Sequence, residues 1–142
     1  MPVIIDSGAT YSSLPFKVAE AVNDLYHPPS KYIAQYGVFM NHCDAKPPKF
    51  AVTVGGMDFY ISSEDLMPTG VLNKGTDVCI LVVRDQYANV RLPTDPKSRR
   101  CVTGIQPMKD GASILGDSFL KNVIAVFDIG ASEMRFAARG EY

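Results

Sequence analysis

Val3-Ile4-Ile5-Asp6-Ser7-Gly8-Ala9-Thr10 sets one carboxylate at the end of a β-branched apolar run, directly against a glycine turn. Val, Ile and their like suit a pleated strand, so the run predicts a buried one. Gly8 lets the backbone turn sharply and leaves room for another chain to pass close by. Asp6 is therefore expected in a dry position with little freedom. A buried carboxylate is costly unless it is hydrogen-bonded, and the small donors Ser7 and Thr10 with the amides of Gly8 and Ala9 are what such a group needs. The expected result is a poised acid. Taken alone, Asp-Ser-Gly specifies no chemistry, because the same residues close turns and cap helices.

A second stretch near the other end makes the first one specific. Ile114-Leu115-Gly116-Asp117-Ser118-Phe119-Leu120 is followed by Val126-Phe127-Asp128 and then by Met134-Arg135-Phe136-Ala137. An apolar-Asp-Ser-Gly strand, paired at a distance with Ile-Leu-Gly-Asp and a closing hairpin, resembles the C-terminal lobe of the pepsin-like aspartic proteases. The resemblance runs over nearly the whole chain. It implies a mainly β protein with the pepsin-like acid protease fold, present as a single C-terminal lobe truncated at its N-terminal side. Residues 1–142 then form one domain, with a loop insertion near 68–100.

Composition agrees with one globular unit: 142 residues, 46% hydrophobic, formal net charge −1, enough chain to bury a core. Lys and Arg are scattered, which gives no nucleic-acid surface. Their one cluster, Lys97-Ser98-Arg99-Arg100, sits in a polar Pro-containing stretch that reads as a solvated loop tip. No apolar run approaches the roughly 20 residues that span a membrane. Met1 is followed almost at once by the Asp6 strand, with no basic and apolar leader, so no signal peptide is read and the start reads as a truncation.

Along the chain, Val18, Val22 and Leu25 recur at helical spacing behind Pro15, predicting one amphipathic helix over Phe16 to Tyr26. His27-Pro28-Pro29 ends it. His27 and His42 are the two histidines; neither stands in a ligand pattern, and no metal or other cofactor is expected. Phe50 to Val54, Gly55-Gly56 and Met57 to Ile61 form the clearest hairpin, two β-rich runs around a two-residue glycine turn. Ser62-Ser63-Glu64-Asp65 suits a helix start. Val78 to Val83 reads as a buried strand, and Asp85 to Arg100, with Pro93 and Pro96, as a long loop. Asp117 is expected to cap a short helix running through Leu120. Val123 to Phe127 and Met134 to Ala137 are expected to close the chain as a hairpin.

Three cysteines permit one disulfide. The resemblance favours Cys43 with Cys101, because the family's C-terminal lobe ties the segment before the hairpin to a strand ahead of Ile-Leu-Gly-Asp. Cys43 with Cys79 remains open, as does a fully reduced set of buried thiols.

For chemistry the resemblance implies an aspartic endopeptidase, in which two aspartates share one proton around a water and act as base and acid on a peptide bond. Asp6 is one of the two. Ser7 is the hydroxyl that bonds across the lobe interface, and Gly8, Ala9 and Thr10 flank the substrate backbone. Ala9 stands where a hydroxyl residue is often found, which removes one donor from the surroundings of Asp6. The sequence holds a single Asp-Ser/Thr-Gly. Its partners would be a peptide or protein substrate and either a missing N-terminal lobe or a second copy of the chain. Three readings follow: the C-terminal part of a secreted or vacuolar (lysosomal) endopeptidase, inactive without the rest; a single-lobe protease that dimerises as the retroviral enzymes do; and a non-catalytic binding module that retains the lobe.

Overall fold

A computed structural model describes residues 2–67, 100–108 and 111–140. The expected strand at 78–83, Cys79, and all of the expected 85–100 loop except Arg100 lie outside the described residues. In chain order the elements are β1 (Val3–Ile5), β2 (Ser12–Pro15), α1 (Phe16–Asp24), β3 (Lys31–Ile33), β4 (Val38–His42), β5 (Phe50–Val54) and β6 (Met57–Ile61). They continue with α2 (Ser63–Leu66), β7 (Arg100–Val102), β8 (Ile105–Met108), β9 (Ser113–Leu115), α3 (Asp117–Leu120), β10 (Val123–Asp128) and β11 (Glu133–Ala138). The protein is mainly β, the architecture of a pepsin-like lobe.

Four strands form one sheet in the order β1-β9-β2-β8. β1 runs parallel to β9, with Ile4 opposite Ile114, and β2 runs parallel to β8. A second sheet has the order β3-β4-β7, and β5-β6 and β10-β11 are separate hairpins. Gly55 and Gly56 make the tight turn of the first hairpin at φ +58° and +80°, a left-handed pair that matches the twist of the flanking strands. Ser62 caps α2 as its sequence suggests: its hydroxyl accepts the Asp65 amide at 3.2 Å and donates to Asp65 Oδ2 at 2.8 Å.

The core gathers around fully buried Tyr26, Phe119, Leu66 and Ile105, with Phe136 edge-on to Phe59 and Phe119. α1 packs into it by a stripe different from the expected one. Ala19, Val22 and Asn23 are the buried helical residues, with Tyr26 just beyond, whereas Val18 and Leu25 are exposed. That is the i, i+3, i+4, i+7 pattern, disguised because two of its members are polar. Their donors are used inside: Asn23 Nδ2 donates to the carbonyls of Ala19 and Ile105, and the Tyr26 hydroxyl donates to Leu66 O at 2.7 Å. Burial pushes the pKa of that hydroxyl far up.

β1 also departs from expectation. It is an edge strand, and Val3 and Ile4 are 45% and 51% exposed rather than buried. β9 covers one edge, and among the described residues nothing pairs with the other.

Cys43 and Cys101 form a disulfide with Cα atoms 4.9 Å apart. The bond takes up Cys43, so the alternative pairing with Cys79 is excluded. It ties the segment after β4 to β7, which are already paired at Asn41 and Cys101. Closing a separation of 58 residues restricts the unfolded chain by an amount worth about 4 kcal/mol. Cys43→Ser with Cys101→Ser is accordingly expected to lower the unfolding free energy by about 2–4 kcal/mol in urea titrations. A loss below about 1 kcal/mol would show that the native sheet holds the two segments without the bond.

Candidate active site

The turn that carries Asp6 is held from two sides. On the strand side, the Asp6 amide donates to Leu115 O at 3.1 Å and prolongs the β1–β9 ladder by one residue. The turn then closes on itself, with the Ala9 amide donating to Asp6 O at 3.2 Å and the Gly8 amide donating to Asp6 Oδ1 at 2.8 Å. One carboxylate oxygen is thus fixed by a backbone donor, which restricts the rotamer.

From behind, the start of α3 holds the rest of the loop. The amides of Asp117 and Ser118 donate to the carbonyls of Ala9 and Thr10, at 2.7 and 3.2 Å. Gly116 lies so close beneath the loop that a Cβ there would run into the carbonyl oxygens of Ala9 and Tyr11. Ile114-Leu115-Gly116-Asp117 with Ser118 therefore contributes a parallel strand, a close approach and two donors. Asp117 itself does not cap the helix. Gly116 occupies the N-cap position, no side-chain cap bond forms, and Asp117 is the first helical residue. The reason is local: α3 begins against the loop, and the loop carbonyls meet its first free amides.

Asp6 is half-buried, Ser7, Gly8 and Thr10 are exposed, and Ala9 is half-buried. The dry position expected for Asp6 is therefore only half realised, because β1 is an edge strand. Of the expected donors, the Gly8 amide alone reaches the carboxylate. The Ala9 amide serves the Asp6 carbonyl instead, and the Ser7 and Thr10 hydroxyls make no bond to Asp6 among the described residues. His27 and His42 are both exposed, far from any ligand pattern. Among the described residues no group of three or more His, Cys, Asp or Glu side chains could hold a metal ion.

Sequence reasoning did not single out two buried serines. Ser12 is wholly inaccessible and Ser118 is 4% exposed, and their hydroxyls meet at 2.8 Å behind the loop. Their signal in the sequence was faint: Ser12 opens a strand after the motif, and Ser118 follows Gly116-Asp117.

A family model, eukaryotic aspartyl protease, matches residues 1–139. The chain belongs to the eukaryotic aspartyl protease family. A protein named as a probable aspartic-type endopeptidase, from Aspergillus fumigatus, is 37% identical over 139 residues, covering 95% of this chain and 27% of the relative. Penicillopepsin-3 of Penicillium janthinellum is 30% identical over 94% of this chain and 32% of its own length. Aspartic proteinase MKC7 of Saccharomyces cerevisiae is 27% identical over the whole chain and 21% of the relative. The chain thus spans about a fifth to a third of the length of these relatives. In this member of the family the Asp6 turn and β9 form one hydrogen-bonded unit. Among the described residues no helix is long and apolar enough to cross a membrane.

Proposed function

We propose that this chain is the C-terminal lobe of a pepsin-like aspartic endopeptidase and that Asp6 is one of the two carboxylates of its catalytic pair. The observation that carries this reading is the Asp6 turn, a partly accessible carboxylate fixed by one backbone amide at 2.8 Å. With a second aspartate opposite, crowding of like charges leaves one proton on the pair. The ionised carboxylate takes a proton from water as that water attacks the peptide carbonyl, and the protonated one supplies a proton on the way to the departing amine. Ser7, exposed beside Asp6, is the residue that bonds across the interface between lobes. Gly8, Ala9 and Thr10 flank the substrate backbone. The second aspartate comes from a partner lobe, since the sequence contains a single Asp-Ser-Gly and the relatives are several times longer. The Cys43–Cys101 bond favours an oxidising location, secreted or vacuolar.

The isolated chain is accordingly expected to show no peptidase activity on a pepsin-type peptide at about pH 3 to 5, and joining it to the N-terminal part of the protein is expected to restore cleavage. Sedimentation run in parallel decides between readings. Cleavage by a monomer of this chain alone would refute the two-lobe requirement, and cleavage only by a dimer would assign the second carboxylate to another copy.

A further inference from the structure

We propose that Ser118 is a positioning residue for Asp6, acting through a buried, one-way chain of hydrogen bonds that it forms with Ser12. The proposal rests on the reading of Asp6 as catalytic.

The direction of the chain follows from counting protons. Ser118 Oγ lies 3.1 Å from Gly104 O, and a carbonyl oxygen only accepts, so the single hydroxyl proton of Ser118 points there. The Ser12 hydroxyl, 2.8 Å away, must then donate to Ser118 Oγ. Its own oxygen is left to accept the Gly116 amide at 3.3 Å. Ser118 Oγ also accepts the Ser12 amide at 3.0 Å. The run is therefore Gly116 N–H to Ser12 Oγ–H to Ser118 Oγ–H to Gly104 O. Both hydroxyls are satisfied and both ends rest on backbone, as a buried polar network requires.

Its placement gives it a role beyond packing. Ser12 is the first residue of β2, immediately after the loop that begins at Asp6. The loop's first end is fixed by Asp6 N–H on Leu115 O, and its second end by the Ser12 amide, which is shared between Ser118 Oγ at 3.0 Å and Gly104 O at 3.1 Å. Between them, Ser118 also donates its own amide to Thr10 O. Ser118 thus engages the loop twice, through backbone and side chain, without touching the carboxylate. Beyond Gly104 the anchor is rigid, because the Gly104 amide and the Tyr26 hydroxyl both donate to Leu66 O, each at 2.7 Å. Removing Ser118 Oγ strands the Ser12 hydroxyl proton and takes away one of the two acceptors of the Ser12 amide, which keeps Gly104 O at 3.1 Å. The second end of the loop is thereby loosened, and the carboxylate loses its fixed setting against the substrate.

The test uses the chain joined to the N-terminal part that completes the enzyme. Ser118→Ala is expected to lower kcat by roughly 10- to 100-fold, the scale of a small misplacement of a reacting group, while KM changes little. Ser118→Thr, which keeps Oγ, is expected to recover most of the loss. Ser12→Ala leaves Ser118 its bonds to Gly104 O and to the Ser12 amide, and should cost less than Ser118→Ala. Hydrogen exchange provides a readout independent of activity: the Gly8 amide should exchange faster in Ser118→Ala, with the amides of Gly104 and Leu66 unaffected. Wild-type kcat in a folded Ser118→Ala enzyme, or unchanged Gly8 exchange, would overturn the proposal, as would a folded Ser118→Thr enzyme as slow as the alanine variant. The underlying reading fails differently: an active Asp6→Asn enzyme would remove the catalytic role of Asp6, whereas the Gly8 exchange rate would still report whether Ser118 holds the loop.

Discussion

Asp6→Asn is expected to reduce peptide hydrolysis by the completed enzyme by roughly 100- to 10,000-fold, the range for losing one general acid or base. The substitution is nearly isosteric, and Asn retains an Oδ1 that can accept the Gly8 amide now donating to Asp6 Oδ1 at 2.8 Å. The backbone bonds that shape the turn, Asp6 N–H to Leu115 O and Ala9 N–H to Asp6 O, involve no side chain. The turn should therefore survive while the ability to take up or release a proton does not. The variant is also expected to unfold within about 0.5 kcal/mol of the wild type, as half-exposed positions do when no buried partner is lost. Steady-state kinetics at about pH 3 to 5 and urea unfolding check the two halves separately. Activity within tenfold of wild type would remove Asp6 from the catalytic pair. An inactive variant that is also unfolded would mean that the carboxylate charge supports the turn itself.

What could be read from the sequence was local or carried by a motif. Gly55-Gly56 between two β-rich runs requires a tight hairpin, and Ser62 ahead of Glu64 and Asp65 requires a helix start; both depend on neighbours in the chain. The pairing of Val3–Ile5 with Ser113–Leu115 is far from local, yet two short motifs disclosed it through family resemblance. The strands β3 and β4 escaped notice. Lys31–Ile33 is three residues long, and Val38–His42 finds its other neighbour at Arg100–Val102, a pairing no local pattern announces. β2 escaped because Ser-Ser-Leu-Pro has poor strand composition and is held by neighbours on both sides. At the site, the motif placed the Asp6 turn beside Gly116, but the burial of Asp6 was overestimated. An apolar run indicates that a strand can be covered; whether it is depends on a partner, and β1 has its second edge unpaired among the described residues. The serine pair was illegible for a related reason. A buried hydroxyl is tolerated only where partners converge on it, and those of Ser118 come from Gly104 and Ser12, both distant in sequence.

Gly116→Ala is expected to cost about 3 kcal/mol or more, at or beyond the upper end of ordinary overpacking. Gly116 has φ −94°, a value any residue adopts, so backbone conformation contributes nothing to the penalty. The cost is steric. An added Cβ would overlap the carbonyl oxygens of Ala9 and Tyr11 and lie 3.0 Å from the Tyr11 carbonyl carbon. These are backbone atoms, and no side-chain rotation can move them aside. Relief requires the loop and the start of α3 to separate, which stretches the Asp117 N–H to Ala9 O bond of 2.7 Å and the Ser118 N–H to Thr10 O bond of 3.2 Å. Stability and site geometry should therefore fail together. Gly140→Ala is the matched control, since nothing lies within 4 Å of a Cβ there, and it should remain within about 0.5 kcal/mol of wild type. Urea unfolding of both variants, with kcat measured on whatever folds of Gly116→Ala in the completed enzyme, checks the pair. A Gly116→Ala protein within about 1 kcal/mol of wild type and with unchanged kcat would show that the loop can lift from α3 freely, and that this contact does not set the position of Asp6.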